Sequence, residues 1–121
     1  RDILAMIAAA EVHAISHITG GGLANNLVRV LPDGVAATLR RDSWTPAAIF
    51  DLVQRTGRVS QPDIEATLNM GVGMALVLPP ASVDAVARVA SDRGLHSWVL
   101  GEVGQADGAA SVRLVGEHGR T

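Results

Sequence analysis

The 121-residue chain contains no cysteine, no lysine and no tyrosine. Without cysteine it has no disulfides, no thiolate zinc site and no cysteine nucleophile. Without lysine it has neither a phosphate-loop lysine nor a Schiff-base lysine; all ten basic residues are arginine. Aromatic residues are nearly absent too. Phe50, Trp44 and Trp98 are the whole set, so a core must be assembled from small and branched aliphatics. The net charge of −2 leaves no basic footprint for nucleic acid or for an anionic membrane surface. No apolar run approaches the ~20 residues that a membrane helix needs. Nothing reads as a secretory leader, and a cytoplasmic location is the expectation.

What is present suffices for one folded unit over residues 1–121, because 48% of the residues are apolar. The chain opens on Arg1, already inside a helical pattern, and a segment of a longer protein is expected. Residues 2–11 place Ile3, Met6, Ile7 and Ala10 on one helical face, with Asp2 as the cap. Residues 12–18 are β-branched and short, the pattern of a buried strand. Leu23, Leu27, Val30 and Leu31 repeat at helical spacing until Pro32-Asp33-Gly34 stops them.

Residues 35–39 read as a strand. A helix over 46–55 would bury Ile49, Phe50 and Val53 and end at Gly57, with a shorter helix over 62–68. Residues 74–78 (MALVL) form an apolar run expected to be a central strand covered on both faces. Ser82 can cap a helix burying Val83, Val86, Ala87 and Ala90. Residues 96–103 and 110–115 look like a hairpin closed by Asp107-Gly108. The order α-β-α-β-α-α-β-α-β-β predicts an α+β domain of α/β type, with helices on the faces of a mixed sheet.

Two glycine stretches stand out. Thr19-Gly20-Gly21-Gly22 lies between a strand and a helix, where unpaired N–H groups and the absence of a Cβ let an anion approach. Thr19 adds a hydroxyl, and His17 ends the strand as a cationic or general-acid group. A tight turn with no ligand fits a triple glycine equally well. The dinucleotide fingerprint does not fit, since 20–25 reads GGGLAN. His13 and His17 have metal-site spacing but neither the glutamate nor a third ligand; one buried and one site histidine is the expected reading. His96 and His118 read as surface residues. Asn69-Met70-Gly71-Val72-Gly73-Met74 marks a bulge, a close backbone approach or a simple reversal before the next strand. The aspartates do not assemble into a carboxylate metal site.

HITGGGL, then N-x-x-R-V-L-P, S-W-x-x-x-x-I-F, T-G-x-V and N-M-G-V-G-M, in this order over roughly residues 2–115, resemble one family. It is the C-terminal half of aminoimidazole ribonucleotide synthetase, or phosphoribosylformylglycinamidine cyclo-ligase. The resemblance implies an ATP- and magnesium-dependent ligase of purine biosynthesis that closes the imidazole ring of a nucleotide substrate. It implies a homodimer whose active site lies between two halves, the missing half holding most of the ATP and metal contacts. The chain alone is then expected to be inactive.

By position, His17 corresponds to the family's active-site histidine and Thr19, Gly20, Gly21 and Gly22 to its phosphate-cleft loop. Asn26 and Arg29 correspond to the family's asparagine and arginine in the next helix, and Asn69, Gly71 and Gly73 to the second glycine turn. Val28 replaces a common proline, and Glu65, Ala66 and Leu68 replace an aromatic, an arginine and a phenylalanine. A related ATP-dependent enzyme, of selenophosphate synthetase or thiamine-phosphate kinase type, and a non-enzymatic binding module are the alternatives.

Overall fold

In a computed structural model that describes residues 1–119, two small sheets share the chain's apolar side chains. Strand β1 (Ala14–His17) pairs antiparallel with β3 (Met74–Val77), Ala14 facing Val77 and His17 facing Met74. Strand β2 (Val35–Arg40) is the middle of a three-stranded sheet. It runs antiparallel to β4 (Gly101–Gln105) and parallel to β5 (Ser111–Val115). The sheet is therefore mixed, as the order of elements predicts, but β4 and β5 do not form a hairpin. They lie on opposite sides of β2, and the chain between them passes around its end. There the Gly34 N–H donates to the Gly108 carbonyl at 2.7 Å, and the Ala106 N–H donates to that of Gly34 at 2.9 Å. The physical reason is that β2 carries the buried Ala37 and Leu39. With a strand on each side, its buried backbone is paired along both edges.

The larger core cluster joins Ile18, Leu23, Leu27, Leu31, Ala37, Leu39, Trp44, Ile64, Met70, Val72 and Ala75. It is filled from helices α2 (Gly22–Leu27) and α4 (Gln61–Glu65) as well as from the strands. Strand β3 is not central, because its one ladder partner is β1, yet both its faces are covered. Ala75 and Val77 pack toward the larger cluster; Leu76 and Leu78 pack toward a second one of Met6, Val86 and Ala90. That second cluster lies between α1 (Asp2–Ala9) and α5 (Val83–Asp92). Asp2 makes no cap; its carboxylate instead meets Arg93 at 3.0 Å, fastening the start of α1 to the end of α5. Ser82 is buried without a capping bond, and Ala87 is exposed while Val89 packs inward.

Helix α3 (Ala48–Gly57) departs most from its pattern. Only Phe50 reaches the core, while Ile49, Leu52 and Val53 are 56%, 52% and 44% exposed. Its left-handed terminal residue is Arg58 (φ 53°), not Gly57. In α4 the Ser60 hydroxyl accepts the Asp63 N–H at 3.2 Å, a side-chain cap.

A second ion pair joins distant parts of the chain. The Arg41 guanidinium grips the Glu65 carboxylate through Nε and Nη2, both at 2.8 Å. Its Nη1 donates to the Leu114 and Gly116 carbonyls, each at 3.1 Å. His118 is no plain surface residue, since it sits edge-on to Trp44 with ring centroids 4.6 Å apart and is largely buried. Its Nδ1 lies 2.9 Å from the Arg41 carbonyl oxygen. Burial pushes the Glu65 carboxyl up, but hydrogen bonding and charge from Arg41, with smaller help from Gln61 and His118, hold it below its ordinary value.

Two expectations follow. Ile64→Ala, at a site 2% exposed, should cost about 2–5 kcal/mol in urea unfolding of this chain, whereas Ile49→Ala should stay within about 0.5 kcal/mol. Comparable losses at both sites would mean that α3 buries its apolar face. A carboxyl held low when folded contributes stability that is fully present above its unfolded value, near pH 4.5, and is lost as pH falls through the lower folded value. Stability measured by chemical unfolding should decline below that pH, and Glu65→Gln should flatten the decline while lowering the neutral plateau. An unchanged acid limb in the variant would remove Glu65 from this role.

Candidate functional site

Between β1 and α2 the chain turns through Thr19, Gly20 and Gly21. Ile18, 2% exposed, anchors the entry, and its N–H donates to the Gly73 carbonyl at 3.0 Å. The loop carbonyls are then collected by two neighbouring side chains of α2. The buried Asn26 amide donates to the carbonyls of Thr19 (3.2 Å), Gly20 (3.3 Å) and Gly22 (2.7 Å), and Asn25 donates to that of Gly21 at 2.8 Å. The Thr19 hydroxyl returns a bond to Asn26 Oδ1 at 3.4 Å. The N–H groups of Thr19, Gly20 and Gly21 donate to nothing among the described residues, and those of Gly20 and Gly21, opposite the Thr19 and Gly20 carbonyls across trans peptides, are turned away from the Asn26 amide. Three successive unpaired N–H groups in a glycine turn are suited to an anion. Helix α2 is six residues long, so these groups matter more than its dipole.

The three glycines are under different constraints, Gly21 and Gly22 sharing a positive φ. A Cβ on Gly22 would lie 1.8 Å from the Glu65 carbonyl oxygen, so α2 can enter against α4 only without one. Gly21 takes φ 98°, a left-handed conformation that favours glycine. Gly20 has neither constraint: its φ is not left-handed, and a Cβ would meet nothing within 4 Å. Gly73 is equally unconstrained, whereas Gly71 takes φ 94°. Because Ile18 bonds to Gly73, both glycine turns stand at the same end of the β1–β3 ladder. Gly20 and Gly73, the glycines of these two turns that the chain's own packing does not require, both lie at that end.

Asn69 serves its own turn, its Oδ1 accepting the Gly71 N–H at 2.9 Å and its carbonyl the Val72 N–H at 3.0 Å. Met70, at φ 53°, is buried, and its carbonyl accepts the Trp44 indole N–H at 3.0 Å. His17 ends β1, exposed between buried Ser16 and Ile18. His13 is exposed as well, 3.2 Å from Glu11, and so is not the buried histidine of the pair. Arg29 lies past the end of α2, exposed and with no ion-pair partner among the described residues; a helix of that length puts it ~10 Å from the loop along the axis.

Among the described residues no three histidines or carboxylates gather around a metal position. A groove on the outer face of the three-stranded sheet, lined by Ala36, Thr38, Glu102, Gly104 and Arg113 among others, includes no loop residue. Asn25, Arg41 and Glu65 were not legible as parts of this site. They act through backbone carbonyls or across many intervening residues, and neither leaves a local signature.

Residues 1–113 match the family model described as AIR synthase related protein, C-terminal domain. A protein of Streptomyces fradiae, provisionally named phosphoribosylformylglycinamidine cyclo-ligase, is 50% identical over 121 residues, covering 97% of this chain and 66% of that protein. The phosphoribosylformylglycinamidine cyclo-ligase of Symbiobacterium thermophilum is 47% identical over 107 residues, 88% of this chain and 30% of its own length. That of an Anaeromyxobacter species is 42% identical over 115 residues, 95% of this chain and 33% of its own. The chain thus spans between about a third and two thirds of the curated relatives it matches. With the matched region extending from the first residue through most of β5, the chain belongs to the AIR synthase related protein family, as its C-terminal domain.

Proposed function

We propose that this chain is the C-terminal domain of a phosphoribosylformylglycinamidine cyclo-ligase, and that its glycine loop receives a phosphate group of the nucleotide substrates. One observation carries the proposal. The Thr19, Gly20 and Gly21 N–H groups are unpaired beside two glycines that packing does not require. Family membership supplies the reaction class. Formylglycinamidine ribonucleotide and ATP give aminoimidazole ribonucleotide, ADP and phosphate in purine biosynthesis. ATP supplies the phosphoryl group that makes the formamide oxygen a leaving group, and a neighbouring nitrogen closes the ring.

This chain's residues bind and orient. The loop N–H groups hold an anionic oxygen without a charged side chain, and Asn26, by holding the Thr19 and Gly20 carbonyls, fixes the opposed N–H groups of Gly20 and Gly21. His17, at the end of β1, is the proton-transfer or charge-stabilising group of this half. Magnesium does not fit the residues described, because no carboxylate cluster is present to hold it. Metal and the remaining ATP contacts are assigned to the rest of the enzyme, a cytoplasmic homodimer on the family resemblance. No helix among the described residues is long and apolar enough to cross a membrane.

Gly20→Ala separates ligand from chain. It should unfold at the wild-type temperature and lose at least tenfold in affinity for the substrate nucleotide, about 1.4 kcal/mol. Gly22→Ala should instead destabilise by about 3 kcal/mol or more, since the Glu65 carbonyl must move. Normal nucleotide titration of Gly20→Ala would mean that the loop holds no phosphate. In the complete enzyme His17→Ala should lower turnover by about 10²–10⁴ with little change in melting temperature, because the side chain is exposed. A collapsed melting temperature with normal turnover of the folded fraction would make His17 structural.

A further inference from the structure

The residue that crowds Gly22 is also the residue that Arg41 holds. The Glu65 carbonyl stands where a Gly22 Cβ would be, and the Glu65 carboxylate is gripped by two guanidinium nitrogens at 2.8 Å. The same guanidinium is tied by its third nitrogen to the Leu114 and Gly116 carbonyls at the end of β5. Helix α4 is only five residues long. Ile64, 2% exposed, fixes its depth in the core, and a single bond from the Gln54 amide to Gln61 Oε1 at 3.1 Å tethers its start, which together leave a short helix some freedom to roll about its axis. A planar, bidentate pair at the next residue removes that freedom, because the fork has one geometry and the β5 carbonyls fix its other side.

We infer that Arg41 and Glu65 are a positioning pair for the glycine loop: they lock the roll of α4, and with it the carbonyl against which Gly22 must turn. The pair touches no ligand. It acts through the Glu65 main chain on the φ angles of Gly21 (98°) and Gly22 (83°), and so on the direction of the three unpaired N–H groups. What the loop then binds rests on the phosphate reading above; the positioning does not.

The test uses the isotopically labelled 121-residue chain and reads the three-bond HN–Hα couplings of Gly21 and Gly22, which report φ directly. Glu65→Gln, which removes the charge, and Arg41→Lys, which removes the fork, should both change these couplings and speed amide exchange in the loop at least tenfold. Arg55→Ala, which breaks the exposed Arg55–Asp51 pair, should change neither. Unchanged couplings in the variants, with only a lower melting temperature, would overturn the inference; either variant suffices if the other does not fold. Failure of both to fold overturns it too, since the pair would then be a fastening of the whole fold. Inorganic phosphate provides the second arm. It should shift the Gly20 and Gly21 amides of the wild type and bind at least fivefold more weakly to Glu65→Gln. Wild-type amides unmoved by phosphate would sink the anion reading and leave the coupling result, and the positioning, standing.

Discussion

Helix α2 begins with its first residue pressed against the last carbonyl of α4, and most of the site follows from that contact. With no room for a Cβ at position 22, the chain must enter α2 through glycine, and Gly21 must turn left-handed to reach it. Once Gly22 is seated, Asn26 is one helical turn on and faces back toward the loop, where its amide can collect three carbonyls. Collecting the Thr19 and Gly20 carbonyls turns the N–H groups of Gly20 and Gly21 the other way. A packing constraint between two short helices thereby becomes an electrostatic property of the surface.

The sequence carries the parts of this that are local. Pro32-Asp33-Gly34 ends a helix, Ser60 and Pro62 start one, and the strands at 35–39 and 74–78 lie within a residue or so of where their patterns place them. Choice of partner is not local. The last two strands read as a hairpin because Asp107-Gly108 is a good turn, yet β2 takes one on each side because Ala37 and Leu39 need a paired backbone around them. Helix α3 carries a clear amphipathic period, and a period states which face is apolar without stating what covers it. In this chain Ile49, Leu52 and Val53 remain exposed.

The site divides along the same line. A strand, a glycine turn and a helix in succession are visible in the letters, and so is the family resemblance that the comparisons bear out. The separate reasons for Gly20, Gly21 and Gly22 are not, because one depends on a carbonyl supplied by residue 65. Asn26 illustrates the ambiguity. A polar residue one turn into a helix beside an anion-type loop invites a ligand role, but its amide is already engaged with three carbonyls inside the chain. Glu65 stood out only as a departure from the family pattern, with no hint of a partner. Its partner is 24 residues away, and its importance lies as much in its main-chain oxygen as in its carboxylate.

The chemistry of the donors sets what such a surface can do by itself. Neutral N–H groups stabilise an anion by hydrogen bonding and need no counter-charge, so they hold a phosphate equally well before and after a phosphoryl group moves. Moving that group requires charge neutralisation on the transferring oxygens, which carboxylate-held magnesium or arginine provides in phosphoryl transfer. Among the described residues no carboxylate cluster exists, Arg41 is committed to Glu65 and two carbonyls, and Arg29, though unpaired there, lies past the end of α2. On the function proposed above, such an arrangement is an orienting half: fixed donors for substrate on this side, with the charge that drives the reaction brought from elsewhere. A loop built this way gains from rigidity, because N–H groups that wander by an ångström lose the alignment that replaces charge. Rigidity is what the fork at Glu65 and the two asparagines provide.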